Sequence, residues 1–129
     1  MCTAYKPDSY NSVSVYIMAE RAQRVIDFLN RTFDGVNLRR FEDPSGRIMH
    51  AEVRVDDTVV MVSDANKMFP AFPVWLHVYV PDVDATYKKA LAAGGVSLQE
   101  PTRKEGDPDR RGGVKDPCGN TWWISTQQG

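Results

Sequence analysis

The chain contains two histidines, and each stands in a short alternating stretch of apolar and polar residues. His50 lies in Ile48-Met49-His50-Ala51-Glu52-Val53-Arg54, and His77 in Trp75-Leu76-His77-Val78-Tyr79. Alternate residues of an extended strand face opposite ways. His50, Glu52 and Arg54 therefore share one face of the first stretch, and Trp75, His77 and Tyr79 one face of the second. A carboxylate beside an imidazole orients the ring and favours its protonated form, the pairing a general base uses. Residues two apart on a strand are separated by about 7 Å of rise. A direct His50–Glu52 hydrogen bond thus requires the side chains to lean together, and the spacing by itself favours a structural polar row.

The same parity places Tyr16 with Ser12 and Ser14, and Trp123 with Thr121 and Ser125. The opposite sets are aliphatic or apolar: Val13, Val15 and Ile17; Met49, Ala51, Val53 and Val55; Leu76, Val78 and Val80; Trp122 and Ile124. Such faces suit a covering helix. The other faces bring Tyr16, His50, Glu52, Arg54, Trp75, His77, Tyr79 and Trp123 together as candidate ligand-binding residues. Large aromatic surfaces beside a few convergent polar groups are what a small-molecule pocket needs. An exposed sheet face or an interface between copies of the chain is the competing reading of the same pattern.

Other chemistries find less support. Cys2 and Cys118 are too few for a disulfide framework and read as unpaired thiols in a reducing cytoplasm. A thiolate at Cys118 needs an activating group, and only Lys115 is near in sequence. There is no Ser-His-Asp order and no HExxH. The stretch Gly106-Asp107-Pro108-Asp109-Arg110-Arg111-Gly112-Gly113 lacks the Gly-Lys-Ser/Thr of a phosphate-cradling loop. It reads as an exposed charged turn at the rim of a cleft, where Arg110 or Arg111 could meet an anionic group.

The elements that must hold these residues are legible from periodicity. Ala22, Val25, Ile26, Leu29 and Phe33 recur at helical spacing before Gly35, and Val83, Tyr87, Ala90 and Leu91 do so between Asp82 and Gly94-Gly95. Strand-like runs precede both helices, Ser12 to Ile17 and Trp75 to Val80. Asp43-Pro44-Ser45-Gly46, Asp56-Asp57, Gly112-Gly113 and Asp116-Pro117-Cys118-Gly119-Asn120 act as breakers. The halves repeat: Val13 to Ile17 matches Leu76 to Val80, and Asp56 to Val60 matches Gly119 to Trp123. One domain of 129 residues is expected, with module one about 10–66, a linker 67–73 and module two about 74–126. Sixteen Lys and Arg against seventeen Asp and Glu, net charge −1, exclude the basic field of a nucleic-acid binder. No run is long enough to span a bilayer and no secretory leader is evident, so no membrane or nucleic-acid partner is expected and the cytoplasm is the expected location.

Phe41 to Val53, Leu76 to Asp84 and the closing Asp116-Pro117-Cys118-Gly119-Asn120-Thr121-Trp122-Trp123-Ile124-Ser125-Thr126 together resemble the vicinal-oxygen-chelate superfamily of glyoxalases, bleomycin-resistance proteins and extradiol dioxygenases. In detail the chain is most similar to its small PhnB-like branch, from about Tyr10 to Thr126. The resemblance implies an α+β fold: two βαβββ modules forming a curved mixed sheet around a cleft, with helices on the convex face. It also implies a homodimer whose clefts are made by both subunits.

Enzymes of that superfamily place a divalent metal on the first and last strand of each module. Carried over one position at a time, those sites hold His77, Ser14, Trp123 and Val60 here. One imidazole cannot hold a divalent ion against water when three or more protein ligands are usual. His50 and Glu52 with His77 offer a rearranged set, but on a strand the family does not use for metal. The expectation is therefore no metal, no cofactor and no assigned catalytic residue. Three readings remain: a protein binding a planar or aromatic molecule in a metal-free cleft, a metal-dependent glyoxalase-like lyase, isomerase or dioxygenase using His77 with a non-standard ligand set, and a partner-binding scaffold.

Overall fold

The computed structural model describes residues 4–129, so Cys2 lies outside the described residues. In chain order the elements are β1 (Tyr16–Ala19), α1 (Ala22–Phe33), β2 (Val36–Glu42), β3 (Ile48–Val55), β4 (Thr58–Asp64), β5 (Trp75–Tyr79), α2 (Val83–Ala92), β6 (Val96–Arg103), β7 (Asp109–Lys115) and β8 (Thr121–Gln127). This is the βαβββ pattern twice over. Each module owns a four-stranded mixed sheet, ordered β1-β4-β3-β2 in the first and β5-β8-β7-β6 in the second. The parallel pairs are β1 with β4 and β5 with β8; the other pairs are antiparallel.

Helix α1 forms because its apolar stripe has somewhere to go. Val25, Ile26, Phe28 and Leu29 are buried against Ile17, Val53, Val60 and Val62 in one core, and each such side chain contributes about 1.5–3 kcal/mol on burial. It ends on Asp34 in the left-handed conformation, φ 54°, one residue before the expected glycine. Helix α2 starts where Asp82 accepts a hydrogen bond from the Ala85 N–H. The two helices also pack on each other, and Trp122 of β8 is 5.3 Å from Phe33 and 6.2 Å from Phe28, ring centre to ring centre. The core thus runs across the seam between the modules.

Four expectations need correction. The first strand begins at Tyr16 and not at Ser12, leaving Val13 exposed. Gly112 and Gly113 do not break a strand; they lie inside β7, because a Cβ at Gly113 would stand 2.5 Å from the Trp123 ring and one at Gly112 would stand 3.3 Å from Tyr87. At the start of β3 a register irregularity against β2 reverses parity, so that Ile48 is buried and Met49 exposed. The repeat is also shifted. Tyr16 pairs with Met61 as His77 pairs with Trp123, which makes Tyr16 and Met61 the counterparts of His77 and Trp123 in place of Ser14 and Val60. The helix starts agree: Asp64 accepts from the Ala22 N–H and Thr126 from the Val83 N–H. On β1 the shift is two residues, which preserves strand parity and so could not show in the alternation; on β4 it is one residue, from Val60, buried in the core, to the half-buried Met61.

Candidate functional site

The face of each sheet turned away from the helices carries the expected residues. In module one they form a chain of hydrogen bonds. His50 Nε2 lies 2.8 Å from Glu52 Oε2, and His50 Nδ1 lies 3.0 Å from the Tyr16 hydroxyl. The Tyr16 hydroxyl also meets Ser63 Oγ, which in turn donates to the Met49 carbonyl. At the other end Tyr10 donates to Glu52 Oε1. The side chains therefore do lean together across the two-residue spacing, and what they form is the structural polar row that spacing favoured. The reason is that Glu52 is only 3% exposed and takes both of its visible donors from this row. Burial pushes the Glu52 carboxyl up, but the hydrogen bonds from Tyr10 and His50 outweigh it and hold the group below its ordinary range. Both ring nitrogens of His50 are engaged, so the pair is a closed network and not a base with a free nitrogen.

Around this row, Phe41 stacks on the His50 ring at 6.2 Å. Arg54 donates to the Ser9 carbonyl and lies over the Tyr10 ring, so the segment before β1 is fastened onto β3. Tyr10 and Ser63 were not singled out from sequence. Tyr10 belongs to no periodic element, and Ser63 is a single small residue on a strand, so neither gave a signal.

In module two, Trp75, His77 and Tyr79 stand in a row on β5 with Trp123 beside them on β8. Trp75 meets Trp123 edge to face at 5.4 Å, and His77 meets Tyr79 edge to face at 4.7 Å. Trp75 and Tyr79 are 75% and 61% exposed, an unusual amount of open aromatic surface for one strand. His77 Nε2 contacts Ser125 Oγ at 3.0 Å, the counterpart of the Tyr16–Ser63 contact. Burial, and secondarily the Arg111 guanidinium, holds the His77 imidazole below its ordinary range against the pull of Asp109. Tyr79 donates to Asp109, and Arg111 bridges Asp107 and Asp109. The charged stretch read as a solvated turn thus supplies this row, whereas Arg110 turns away to hold Asp84 with two hydrogen bonds.

The four positions where the superfamily's metal would be held are Tyr16, Met61, His77 and Trp123 in this structure. Trp cannot coordinate a metal, a thioether is a poor partner for a hard divalent ion, the Tyr16 hydroxyl is taken up by His50 and Ser63, and one imidazole remains. Among the described residues no three His, Cys, Asp or Glu side chains come together as a ligand cluster. His50 and Glu52, the rescue considered from sequence, are taken up by each other and by tyrosines. The donor set does not fit a divalent metal.

The eight candidate residues fall into two groups, one per module. Tyr16 and His50 are joined by contact, as are Trp75 with Trp123 and His77 with Tyr79, but no hydrogen bond or ring contact among the described residues links one module's row to the other. Arg54 and Tyr79, one from each group, line the same groove of about 750 Å³ along the seam between the modules. Each row alone is an open half-cup. No helix among the described residues is long and apolar enough to cross a membrane.

The two-module fold has counterparts among known proteins. An uncharacterised protein of Mycobacterium bovis is 34% identical over 126 residues, covering 88% of this chain and 81% of its own. Among solved structures, the PhnB protein of Bacillus cereus, titled a putative 3-demethylubiquinone-9 3-methyltransferase, superposes with a TM-score of 0.72 at 20% identity, covering 90% of this chain and 99% of its own. TnmS3, an antibiotic binding protein from Streptomyces sp. CB03234, superposes with a TM-score of 0.69 at 18% identity, covering 92% and 99%. At these identities the solved structures speak for the fold alone. The family model for the Glyoxalase/Bleomycin resistance protein/Dioxygenase superfamily matches residues 11–124, nearly the whole of the repeat just described, and the chain belongs to that superfamily.

Proposed function

We propose that the protein binds a small planar or aromatic molecule in a metal-free cleft made by two copies of the chain, the module-one row of one facing the module-two row of the other. The observation that carries this reading is the exchange at the metal positions: where an enzyme of the superfamily needs ligands, this chain presents Trp123 against Trp75, and Met61 beside Tyr16. Aromatic surface replaces a Lewis acid, and stacking replaces coordination. Two open half-cups in one chain are each completed by a second chain. That TnmS3, with the same fold, is an antibiotic binding protein agrees with this use of the scaffold. A homodimer follows, because the half-cups otherwise leave Trp75, Tyr79, Phe41 and Met49 in water.

The test is complementation between subunits. His50→Ala and Trp123→Ala chains carrying different tags are co-expressed and the mixed dimer is isolated. A cleft shared between subunits leaves one intact site per mixed dimer, so binding of a planar aromatic probe should return at half the wild-type stoichiometry. Loss of binding in the mixed dimer as complete as in each single variant overturns the shared cleft.

A further inference from the structure

Arg47 precedes β3 and stands at the end of the module-one half-cup, where it lines a cavity of about 410 Å³ with Tyr16, Met18, Met49 and Phe69 and with the polar Asp64 and Asn66. Its guanidinium is held without a carboxylate. Nη2 donates to the Asp64 and Ala65 carbonyls. Arginine carries five N–H donors, so this leaves those on Nε and Nη1 without a partner among the described residues. The two carboxylates nearby are engaged elsewhere. Asp64 accepts from the Ala22 and Ile48 N–H groups, one on each oxygen. Asp43 accepts from Ser45 and from the Arg47 backbone N–H, bonds that hold its carboxyl below the ordinary range. Neither forms an ion pair with Arg47, in contrast to Arg40, Arg110 and Arg111, which all have carboxylate partners.

A fixed cation with spare donors and an apolar surround of Met18, Met49, Phe69 and the Tyr16 ring is a recognition unit for an anion on an apolar body. Backbone carbonyls orient the guanidinium, so less freedom is lost when an anion binds. The half-buried setting strengthens the charge-assisted hydrogen bond relative to one in open water. We propose that Arg47 is the specificity-determining residue of the cleft and that the ligand is an aromatic carboxylate, its acid group on Arg47 and its ring against Tyr16, Met49 and Phe69. This deepens the proposed function and rests on it.

Calorimetric titration with 2-naphthoate and with the neutral 2-naphthalenemethanol separates the two. Wild-type protein should bind the acid at least about tenfold more tightly, the factor that 1.4 kcal/mol makes, and high salt should narrow the gap. Arg47→Gln should lose that preference while keeping its affinity for the alcohol, and Arg47→Lys should recover part of it. Equal affinity of the wild type for both probes overturns the assignment to Arg47 while leaving the aromatic cleft standing. So does an acid preference that survives in Arg47→Gln, or equal loss of both probes there. Failure of both probes to bind the wild type refutes the proposed function itself. Should Arg47→Gln not fold, the wild-type comparison and Arg47→Lys still decide.

Discussion

Replacing Trp122 and Trp123 one at a time by alanine should produce two different losses, because neighbouring residues of β8 face opposite sides of the sheet. Trp122 is 1% exposed and packs on Phe28 and Phe33. Truncation there leaves a cavity costing about 3–5 kcal/mol. The indole N–H also donates to Asp116, 2.9 Å away and 4% exposed, and removing one donor from a buried carboxylate adds about 1–3 kcal/mol. Against a typical total of about 5–15 kcal/mol, Trp122→Ala should melt roughly 10 °C or more below wild type, at about 3–5 °C per kcal/mol for a domain of this size. Trp123 is half-buried on the cup face, its ring laid over Gly113 and edge-on to Trp75. Trp123→Ala should cost about 1–2 kcal/mol of stability but reduce affinity for a planar aromatic probe by about tenfold or more. Urea melts and calorimetric titration of both variants read the two quantities separately. Equal destabilisation with no effect on binding from either variant refutes the assignment of faces.

Other perturbations follow from particular contacts. Gly113→Ala puts a methyl group into the Trp123 ring; it should cost about 1–3 kcal/mol by overpacking and weaken probe binding as Trp123→Ala does, which urea melts and titration will show. The depressed Glu52 carboxyl contributes stability that is present above its unfolded value and lost as pH falls through the lower folded one. Glu52→Gln should therefore lose less stability than wild type between about pH 5 and about pH 3, measured by urea midpoints; identical acid slopes contradict this. His77, held low by burial and Arg111, should titrate by NMR below the ordinary histidine value of about 6.5, and Arg111→Gln should move it back up.

Much of this fold can be read from residue spacing alone. The apolar stripe from Ala22 to Phe33, the Asp82 cap and the turns at Asp43 and Asp56 are local signals, and all three are where spacing puts them. The faces of β5 and β8 are also legible, since Leu76, Val78 and Trp122 could not all face water. What escaped notice is non-local. That Gly113 makes room for Trp123 depends on the register of β7 against β8, a pairing that neither strand displays by itself. The second partner of Glu52 is Tyr10, forty-two residues away in the chain. The counterpart of His77 was displaced by two residues because a period of two looks the same after such a shift. The grouping of eight side chains into one cup passed over the seam between modules, which no strand pattern records.

Binding by metal-depleted protein decides between stacking and coordination. The wild-type chain, treated with chelator and checked by mass spectrometry to carry no stoichiometric divalent ion, is titrated with 2-naphthoate while tryptophan emission is followed. Saturable quenching, unchanged by chelator and lost in Trp123→Ala, is the expected result. Absence of quenching until zinc, nickel, manganese or iron is restored, with that metal lost again in His77→Ala, would contradict it and return the cleft to metal chemistry.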